Sequence, residues 1–103
     1  MSELIKLRKE NGILSINLNR LDKKNALTAA MYSELAEIFK HEVSDISAVI
    51  ITGGKDFTAG NDLADFLDNP PTATDAPVFE FMRALSNCPV PVIAAVDGVA
   101  VGI

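Results

Sequence analysis

The stretch AVIITGGKDFTAGNDL (residues 48–63) carries the strongest fold signal in the chain. It begins with a continuous apolar and β-branched run at 48–52, which predicts a strand that is buried on both faces. Gly53 and Gly54 end this run, and the residues up to Leu63 lead into a short apolar segment that predicts a helix. A buried strand followed by a helix is typical of a layered α/β protein with parallel strands.

Upstream of this stretch, the sequence predicts a β-hairpin followed by an amphipathic helix. Alternating apolar residues over 4–8 and 13–18 flank Asn11-Gly12, which is a strong signal for a two-residue hairpin turn. Thr28 is a suitable N-cap for a helix over about 28–43, where apolar residues recur at helical spacing. The residues predicted to face the core are Met31, Leu35, Ile38, Phe39 and Val43.

Downstream, a polar and proline-containing loop at 69–74 separates the short helix from a second helix predicted over 75–87. The apolar run 90–96 predicts another strand buried on both faces, closed by Asp97-Gly98. The predicted order of elements is therefore β, β, α, β, α, α, β, which indicates an α/β layer architecture. The residues of the second helix predicted to face mostly inward are Val78, Phe79, Met82, Ala84 and Leu85.

Composition excludes several classes of protein. The chain has 103 residues, enough for one domain at most, and a net charge of −5 with its nine Lys and Arg scattered, which argues against nucleic-acid binding. A single Cys and a single His exclude an internal disulfide framework and predict no metal cluster. The longest apolar run is far shorter than the roughly 20 residues of a membrane span, and the start lacks a signal-peptide core. These features predict a cytoplasmic protein.

A glycine-containing turn follows each predicted buried strand, AGND at 59–62 and GVAVGI at 98–103. In α/β folds, ligands bind beyond the carboxyl ends of strands. Glycine lets a ligand approach the backbone, and two N–H groups aimed at one carbonyl oxygen form an oxyanion hole. The alternative is purely structural: Asn61 or Asp62 would cap the following helix, and the second turn would serve tight packing.

Other motifs carry less chemistry. Gly53-Gly54-Lys55 hints at a phosphate-binding loop, but Val49 stands where the first Gly of G-x-x-x-x-G-K belongs. The acidic side chains that could act as catalysts are interpreted as solvent-exposed residues on the surfaces of helices. Cys88 is interpreted as a small buried hydrophobic residue. The carboxylates interpreted in this way are Asp65, Asp68 and Glu80.

These motifs together resemble the N-terminal part of the crotonase, or enoyl-CoA hydratase/isomerase, superfamily. The loop from Asn19 to Leu27 is similar to the family's N-R-P-x-x-x-N-A-L, with Leu21 in place of Pro, and 49–53, 57–63 and 91–102 match in order and spacing. The resemblance covers nearly all of the chain and implies an α/β fold of the crotonase-like ββα spiral type. Residues 1–103 would form the N-terminal part of a single acyl-CoA-binding domain, truncated before the domain is complete.

The resemblance also implies a site. One oxyanion-hole N–H would come from Asn61 and the other from the glycine turn, where Gly102-Ile103 stands in place of the family's usual Gly-Gly-Gly, so that Gly102 or Ile103 is the donor. Phe66 would line the acyl pocket. The residues implied to border the coenzyme A thioester are Lys24, Ala26, Leu27, Ala59, Gly60, Asp62 and Leu63.

The implied activity is that of an enoyl-CoA hydratase or isomerase acting on an acyl-CoA substrate of fatty acid metabolism, without a separate cofactor. AGNDL followed by Phe66 is similar to isomerases of the family. The catalytic carboxylates are expected beyond residue 103, so we expect these residues alone to be inactive. The implied partners are further copies, as a homotrimer or hexamer, or a C-terminal fragment of the same protein. One alternative is a non-catalytic CoA-binding or assembly fragment that needs a complementary C-terminal segment, and another is an unrelated small α/β domain.

Overall fold

The computed structural model of the chain describes residues 3–102. The order of elements is the predicted one, with a 3₁₀ turn at Leu21–Lys23 inserted between the second strand and the first helix. The elements are β1 (Ile5–Glu10), β2 (Ile13–Leu18), α1 (Ala29–His41), β3 (Ala48–Thr52), α2 (Leu63–Asp68), α3 (Pro77–Ser86) and β4 (Val92–Ala95).

The predicted hairpin is confirmed. β1 and β2 pair antiparallel, with Glu10 opposite Ile13 across the turn. Asn11 and Gly12 have φ values of 54° and 79°. Positive φ at both central positions defines a type I′ turn, whose twist matches that of the flanking strands, and Asn-Gly tolerates it at little cost.

The four strands form one sheet in the order β1-β2-β3-β4. β3 pairs parallel with β2 on one side and with β4 on the other, with Val49 opposite Leu14 and Val92. β3 is therefore the central parallel strand that the run at 48–52 predicts. The carboxyl ends of β2, β3 and β4 all meet at one edge of the sheet, which is where the two glycine turns begin.

Helix α1 covers one face of this sheet, as its periodicity predicts. The Thr28 side chain accepts a hydrogen bond of 3.2 Å from the Met31 N–H, so that the predicted N-cap is confirmed. All five predicted inward residues are buried. α1 has 13 residues, and no helix within residues 3–102 is both long enough and apolar enough to cross a membrane.

The prediction that β3 and β4 are buried on both faces is wrong for these residues. In β3 only Val49 is fully buried, and in β4 Ile93 is 51% exposed. Helices α1 and α3 pack on one face of the sheet, and β4 is its edge strand within the described residues. A continuous apolar run predicts a strand in a sheet that is covered on both faces. Within the described residues, only one face of this sheet is covered.

Helix α3 packs against α1, through a face that the sequence predicted only in part. Ala84 is buried as predicted, and Val78 and Leu85 are partly buried against the core. Phe79 and Met82 are exposed, contrary to the prediction, and Phe81 is buried although it was not predicted to be. The Phe81 ring lies against Tyr32, with centroids 5.5 Å apart, and against Phe39 at 6.1 Å. Apolar residues occupy more than one face of this helix, so periodicity alone did not select the face that meets α1.

Candidate functional site

Three segments meet beyond the carboxyl edge of the sheet, and we call them the loop junction: 24–27, 57–62 and 98–102. Isolated parallel bridges pair Leu27 with Asn61 and Thr58 with Ala100. The Leu27 N–H donates to the Gly60 carbonyl at 2.8 Å, and the Asp62 N–H donates to the Leu27 carbonyl at 2.9 Å. Hydrogen bonds of the sheet type thus continue past the ends of the strands and hold the three segments side by side.

The second bridge fastens the two glycine turns to each other. The Thr58 N–H donates to the Val99 carbonyl, and the Val101 N–H donates to the Thr58 carbonyl, each at 3.0 Å. Because Thr58 is buried, these bonds are shielded from water and their loss would leave buried groups unpaired. The turns that follow β3 and β4 are therefore one unit rather than two separate loops.

Glycine is required where these turns touch. Gly60 and Gly102 have φ values of 91° and 87°, a region that side chains other than glycine rarely adopt. A Cβ at Gly60 would lie 3.1 Å from the Val101 carbonyl oxygen, and one at Gly102 would lie 3.2 Å from the Gly60 Cα. The two predicted glycine turns are in backbone contact, an arrangement that their positions after neighbouring parallel strands lead us to expect.

Asn61 lies between two residues whose backbone groups are engaged with Leu27. Its own N–H donates to no acceptor within residues 3–102. A free N–H in a glycine-containing turn is available to an oxygen of a ligand. Of the two alternative donors in the second turn, Gly102 contacts Gly60, whereas Ile103 lies outside the described residues.

Asn25 is the side chain that fixes the loop junction from within. It is fully buried, and its Nδ2 donates to the carbonyls of Gly53 and Asp56 at 2.9 and 2.7 Å. Its Oδ1 accepts from the Arg20 N–H at 2.7 Å, and its carbonyl accepts from the Thr58 hydroxyl at 2.7 Å. The sequence motif N-A-L contained Asn25, but no site role was predicted for it. The sequence did offer one signal for such a role: Asn25 lies within a motif whose other residues were predicted to contact the ligand.

Arg20 joins the first loop to the start of α2. Its guanidinium donates to the Ala26 carbonyl at 3.0 Å and to Asp62 Oδ2 at 2.7 Å. Asp62 Oδ1 accepts from the Asp65 N–H at 2.9 Å, so that the predicted helix cap is present. The backbone N–H of Asp65 and then the Arg20 guanidinium hold the pKa of Asp62 below its usual value.

A cavity of about 310 Å³ opens beside the loop junction, between α1, α2 and the proline-containing segment before α3. Tyr32 from α1 and Asn61 lie on its wall, and the Tyr32 hydroxyl donates to Asn61 Oδ1. Burial raises the pKa of Tyr32 to about 12. The apolar side chains that line the cavity include Leu27, Phe66, Pro70, Pro71, Pro77 and Val78. Tyr32 was not predicted as a site residue, because a tyrosine in an amphipathic helix is more typical of the hydrophobic core.

The predicted site residues fall into three groups. Leu27, Asn61, Asp62 and Phe66 line the cavity. Ala26, Ala59 and Gly60 form the backbone of the loop junction, where the Ala59 N–H donates to the Lys24 carbonyl at 3.0 Å. Lys24, at one end of the loop junction, and Leu63 do not line this cavity.

Lys24 lines a second cavity of about 210 Å³ together with Lys55 and Asp56. Leu63 is 77% exposed and does not line the larger cavity. Two lysines and one carboxylate give this lining a net positive charge, which suits an anionic group such as a phosphate.

Asp65, which lines the larger cavity, and Glu80, which does not, both have structural partners. Asp65 Oδ2 accepts from the Ala29 N–H at 2.7 Å, which ties α2 to α1. Glu80 pairs with Lys40 at 3.0 Å and with Arg83, and hydrogen bonds from Lys40 and then Arg83 lower the pKa of Glu80. No group of three potential metal ligands is brought together within residues 3–102.

Comparisons with known proteins define the class. A family model described as Enoyl-CoA hydratase/isomerase matches residues 8–103. Human "Enoyl-CoA delta isomerase 2" is 36% identical over 110 residues, which is 98% of this chain and 28% of the human protein. "1,2-epoxyphenylacetyl-CoA isomerase" of Escherichia coli is 36% identical over 112 residues, covering 99% of this chain and 43% of that protein.

Solved structures agree with this class. The structure of Pseudomonas aeruginosa OdaA superimposes with a TM-score of 0.87 at 52% identity, over 94% of this chain and 40% of that one. A fold with this sheet and these loops is the N-terminal region of the crotonase superfamily fold. The chain belongs to the enoyl-CoA hydratase/isomerase family, and it spans less than half the length of the relatives named here.

Proposed function

We propose that this chain supplies the oxyanion-binding half of an acyl-CoA enzyme that stabilises a thioester enolate. The observation that carries the proposal is the backbone contact between Gly60 and Gly102, next to the free N–H of Asn61. One donor would be the Asn61 N–H, and the other would be the N–H of Gly102 or Ile103. Backbone donors fixed in this way gain most when the thioester oxygen becomes negative, which lowers the barrier to enolate formation.

The apolar cavity supports an acyl group as the ligand, because it opens directly beside Asn61. The thioester carbonyl would sit at the loop junction and its acyl chain would contact Phe66 and Leu27. The coenzyme A moiety would pass the backbone of Lys24, Ala26 and Ala59, with its phosphates near the lysine pair Lys24 and Lys55. The substrate itself would thus provide all the coenzyme that the reaction needs.

Proton transfer would then require a carboxylate without a structural partner, whereas Asp62 and Asp65, which line the cavity with Asn61, both have such partners. Asp65 and Glu80 are engaged with Ala29 and with Lys40 and Arg83, respectively. We therefore propose that the described residues bind and polarise a thioester but do not turn it over. Between hydration and double-bond migration, the AGNDL motif favours migration, and the human relative named above is called an enoyl-CoA delta isomerase.

The test uses acetoacetyl-CoA, whose β-dicarbonyl group ionises to an enolate that absorbs in the near ultraviolet. Binding to an oxyanion hole lowers the apparent pKa of this ionisation. Gly60→Ala and Gly102→Ala would force the two turns apart, and we expect each to weaken enolate binding at least about tenfold, given that losing a donor outright costs about 10²- to 10³-fold. Gly12→Ala is the matched control, because Gly12 also has a positive φ but lies in the hairpin turn. No enolate signal in the wild type, or equal losses in all three variants, would refute the proposal.

A second candidate function is an assembly fragment that binds CoA but acts only with a complementary C-terminal segment. The exposed apolar residues Ile93, Val96 and Val101, on β4 and just after it, favour this alternative. Native mass spectrometry of the purified protein separates the two. A second bound polypeptide that carries a glutamate, together with turnover of an enoyl-CoA, would favour an assembled enzyme, and binding without turnover in such a complex would favour the assembly fragment.

A further inference from the structure

Tyr32 connects the core of the molecule to the candidate oxyanion donor. The side chain is 3% exposed, and its ring packs against Phe81 with centroids 5.5 Å apart. Its hydroxyl reaches the cavity wall and donates to Asn61 Oδ1. The position of the phenol oxygen is therefore set by the packing of α1 and α3, whereas Asn61 itself is exposed on the loop junction.

The hydroxyl acts as a donor throughout the physiological pH range. Burial raises the pKa of Tyr32 to about 12, so that the phenol keeps its proton and the amide oxygen of Asn61 is the atom that faces it. Within residues 3–102, the Asn61 side chain makes no other hydrogen bond to the protein. Tyr32 is thus the single side chain that fixes the orientation of the Asn61 amide.

The Tyr32 hydroxyl and local backbone N–H groups are alternative partners for the Asn61 side chain. Asn side chains readily accept hydrogen bonds from backbone N–H groups one to three residues away, in Asx turns and helix caps. At the start of α2 such N–H groups are close at hand, and the capping role is already filled by Asp62. By engaging Asn61 Oδ1, the Tyr32 hydroxyl holds the Asn61 side chain, and with it the turn, in the orientation of this structure.

We propose that Tyr32 is a positioning residue for the oxyanion site, acting through the side chain of Asn61. The inference rests on the proposed function, since it assumes that the Asn61 N–H receives the enolate oxygen. Tyr32 does not touch the reacting atoms. Its contribution is to hold Asn61 in the one orientation in which the backbone N–H stays free, so that the donor is set before the ligand arrives.

The experiment is a double-mutant cycle with Tyr32→Phe and Asn61→Ala, in which bound acetoacetyl-CoA is titrated by near-ultraviolet absorbance. Tyr32→Phe keeps the buried ring and removes only the hydroxyl, while Asn61→Ala removes the acceptor at an exposed position and keeps the backbone N–H. We expect each to weaken binding of the enolate about two- to tenfold relative to the neutral form, as for a lost hydrogen bond. The double variant should be no weaker than either single variant. Ser86→Ala, which loses one hydroxyl bond to the Arg83 carbonyl at the end of α3, should leave the titration unchanged.

The outcomes separate this inference from the proposed function. If the wild type lowers the pKa of the bound ligand but Tyr32→Phe titrates like the wild type, the role of Tyr32 is wrong and the oxyanion site stands. Additive losses in the double variant would likewise mean that Tyr32 does not act through Asn61. If the wild type itself leaves the pKa of the bound ligand unshifted, the oxyanion site is wrong and the role of Tyr32 with it. Circular dichroism spectra of each variant check that the fold is retained. If Tyr32→Phe disturbs the core, Asn61→Ala still tests the hydrogen bond between Tyr32 and Asn61.

Discussion

The two walls of the candidate site are built in different ways. The loop junction is held by backbone hydrogen bonds between three segments and by the buried side chain of Asn25. The opposite wall, α2 and the proline-containing segment, has no fully buried residue in its helix and is tied down by the carboxylates of Asp62 and Asp65. The part that would bind the reacting oxygen is thus fixed by many cooperative bonds, while the part that would contact a variable acyl chain is held by few.

The largest effect should come from closing the space beneath the second glycine turn. A Cβ at Gly98 would lie 2.2 Å from the Lys55 carbonyl and 2.5 Å from Asp56 Oδ1. We expect Gly98→Ala to lower the free energy of unfolding by about 3 to 5 kcal/mol, from positive φ and overpacking together. Gly54→Ala shares the positive φ but meets nothing within 4 Å, so it should cost only about 1 to 2 kcal/mol. Urea denaturation measures both, and equal losses would show that the turn has room to move.

The next largest effect should follow removal of Asn25. Asn25→Ala leaves the carbonyls of Gly53 and Asp56 and the N–H of Arg20 without this partner, and we expect a loss of about 2 to 4 kcal/mol in the free energy of unfolding. Asn69→Ala on the opposite wall loses one exposed bond to Asp65 and should change stability by no more than about 0.5 kcal/mol. A small effect at Asn25, as measured by urea denaturation, would contradict the contrast between the two walls.

A pH-dependent effect of intermediate size should arise where the two walls join, at Asp62. The hydrogen bond from the Asp65 N–H and the Arg20 guanidinium lower the pKa of Asp62, so its carboxylate is favoured in the folded state. This contribution is present above the ordinary pKa of an aspartate and is lost as the pH falls through the lowered value. We expect Asp62→Asn to reduce the thermal unfolding midpoint at pH 7. The decrease of this midpoint between pH 7 and pH 3 should be smaller in the variant than in the wild type. Asp45→Asn is the control, because Asp45 lies in an exposed turn. This variant should show the same dependence of the thermal unfolding midpoint on pH as the wild type.

The smallest effect on stability is expected for the cavity wall itself. Phe66 lines the cavity while remaining partly exposed, so Phe66→Ala should lower the free energy of unfolding by no more than about 1 kcal/mol. If the cavity holds an acyl chain, Phe66→Ala should weaken the binding of octanoyl-CoA about fivefold and should leave the binding of acetyl-CoA little changed. Leu67→Ala is the control, because Leu67 is on the same helix, is more exposed and does not line the cavity. Calorimetry that finds equal effects of both variants on octanoyl-CoA would exclude this wall from the acyl site.

The elements could be predicted from the sequence because they follow local rules, whereas the contact between the glycine turns also depends on β3 and β4 being neighbouring parallel strands. The Asn11-Gly12 turn, the Thr28 cap and the parallel strands leave direct marks in the chain. Burial of β4 and the buried face of α3 could not be predicted, since each depends on which neighbours are present: Ile93 is exposed because one face of the sheet is open, and Phe81 rather than Phe79 meets α1. Tyr32 and Asn25 were missed because their roles depend on hydrogen bonds to residues far away in the sequence, which leave no periodic pattern.

The bridges of the loop junction also bear on the order in which the chain folds. Leu27 pairs with Asn61 and Thr58 with Ala100, and each pair lies far apart in sequence, whereas the hairpin and the helices need only local contacts. Closing such long loops costs entropy before any bond repays it, so we expect the junction to form after the hairpin and α1. The residues that would receive a ligand are then among the last to assemble, and a ligand that joins all three segments would bias this final step toward the folded state.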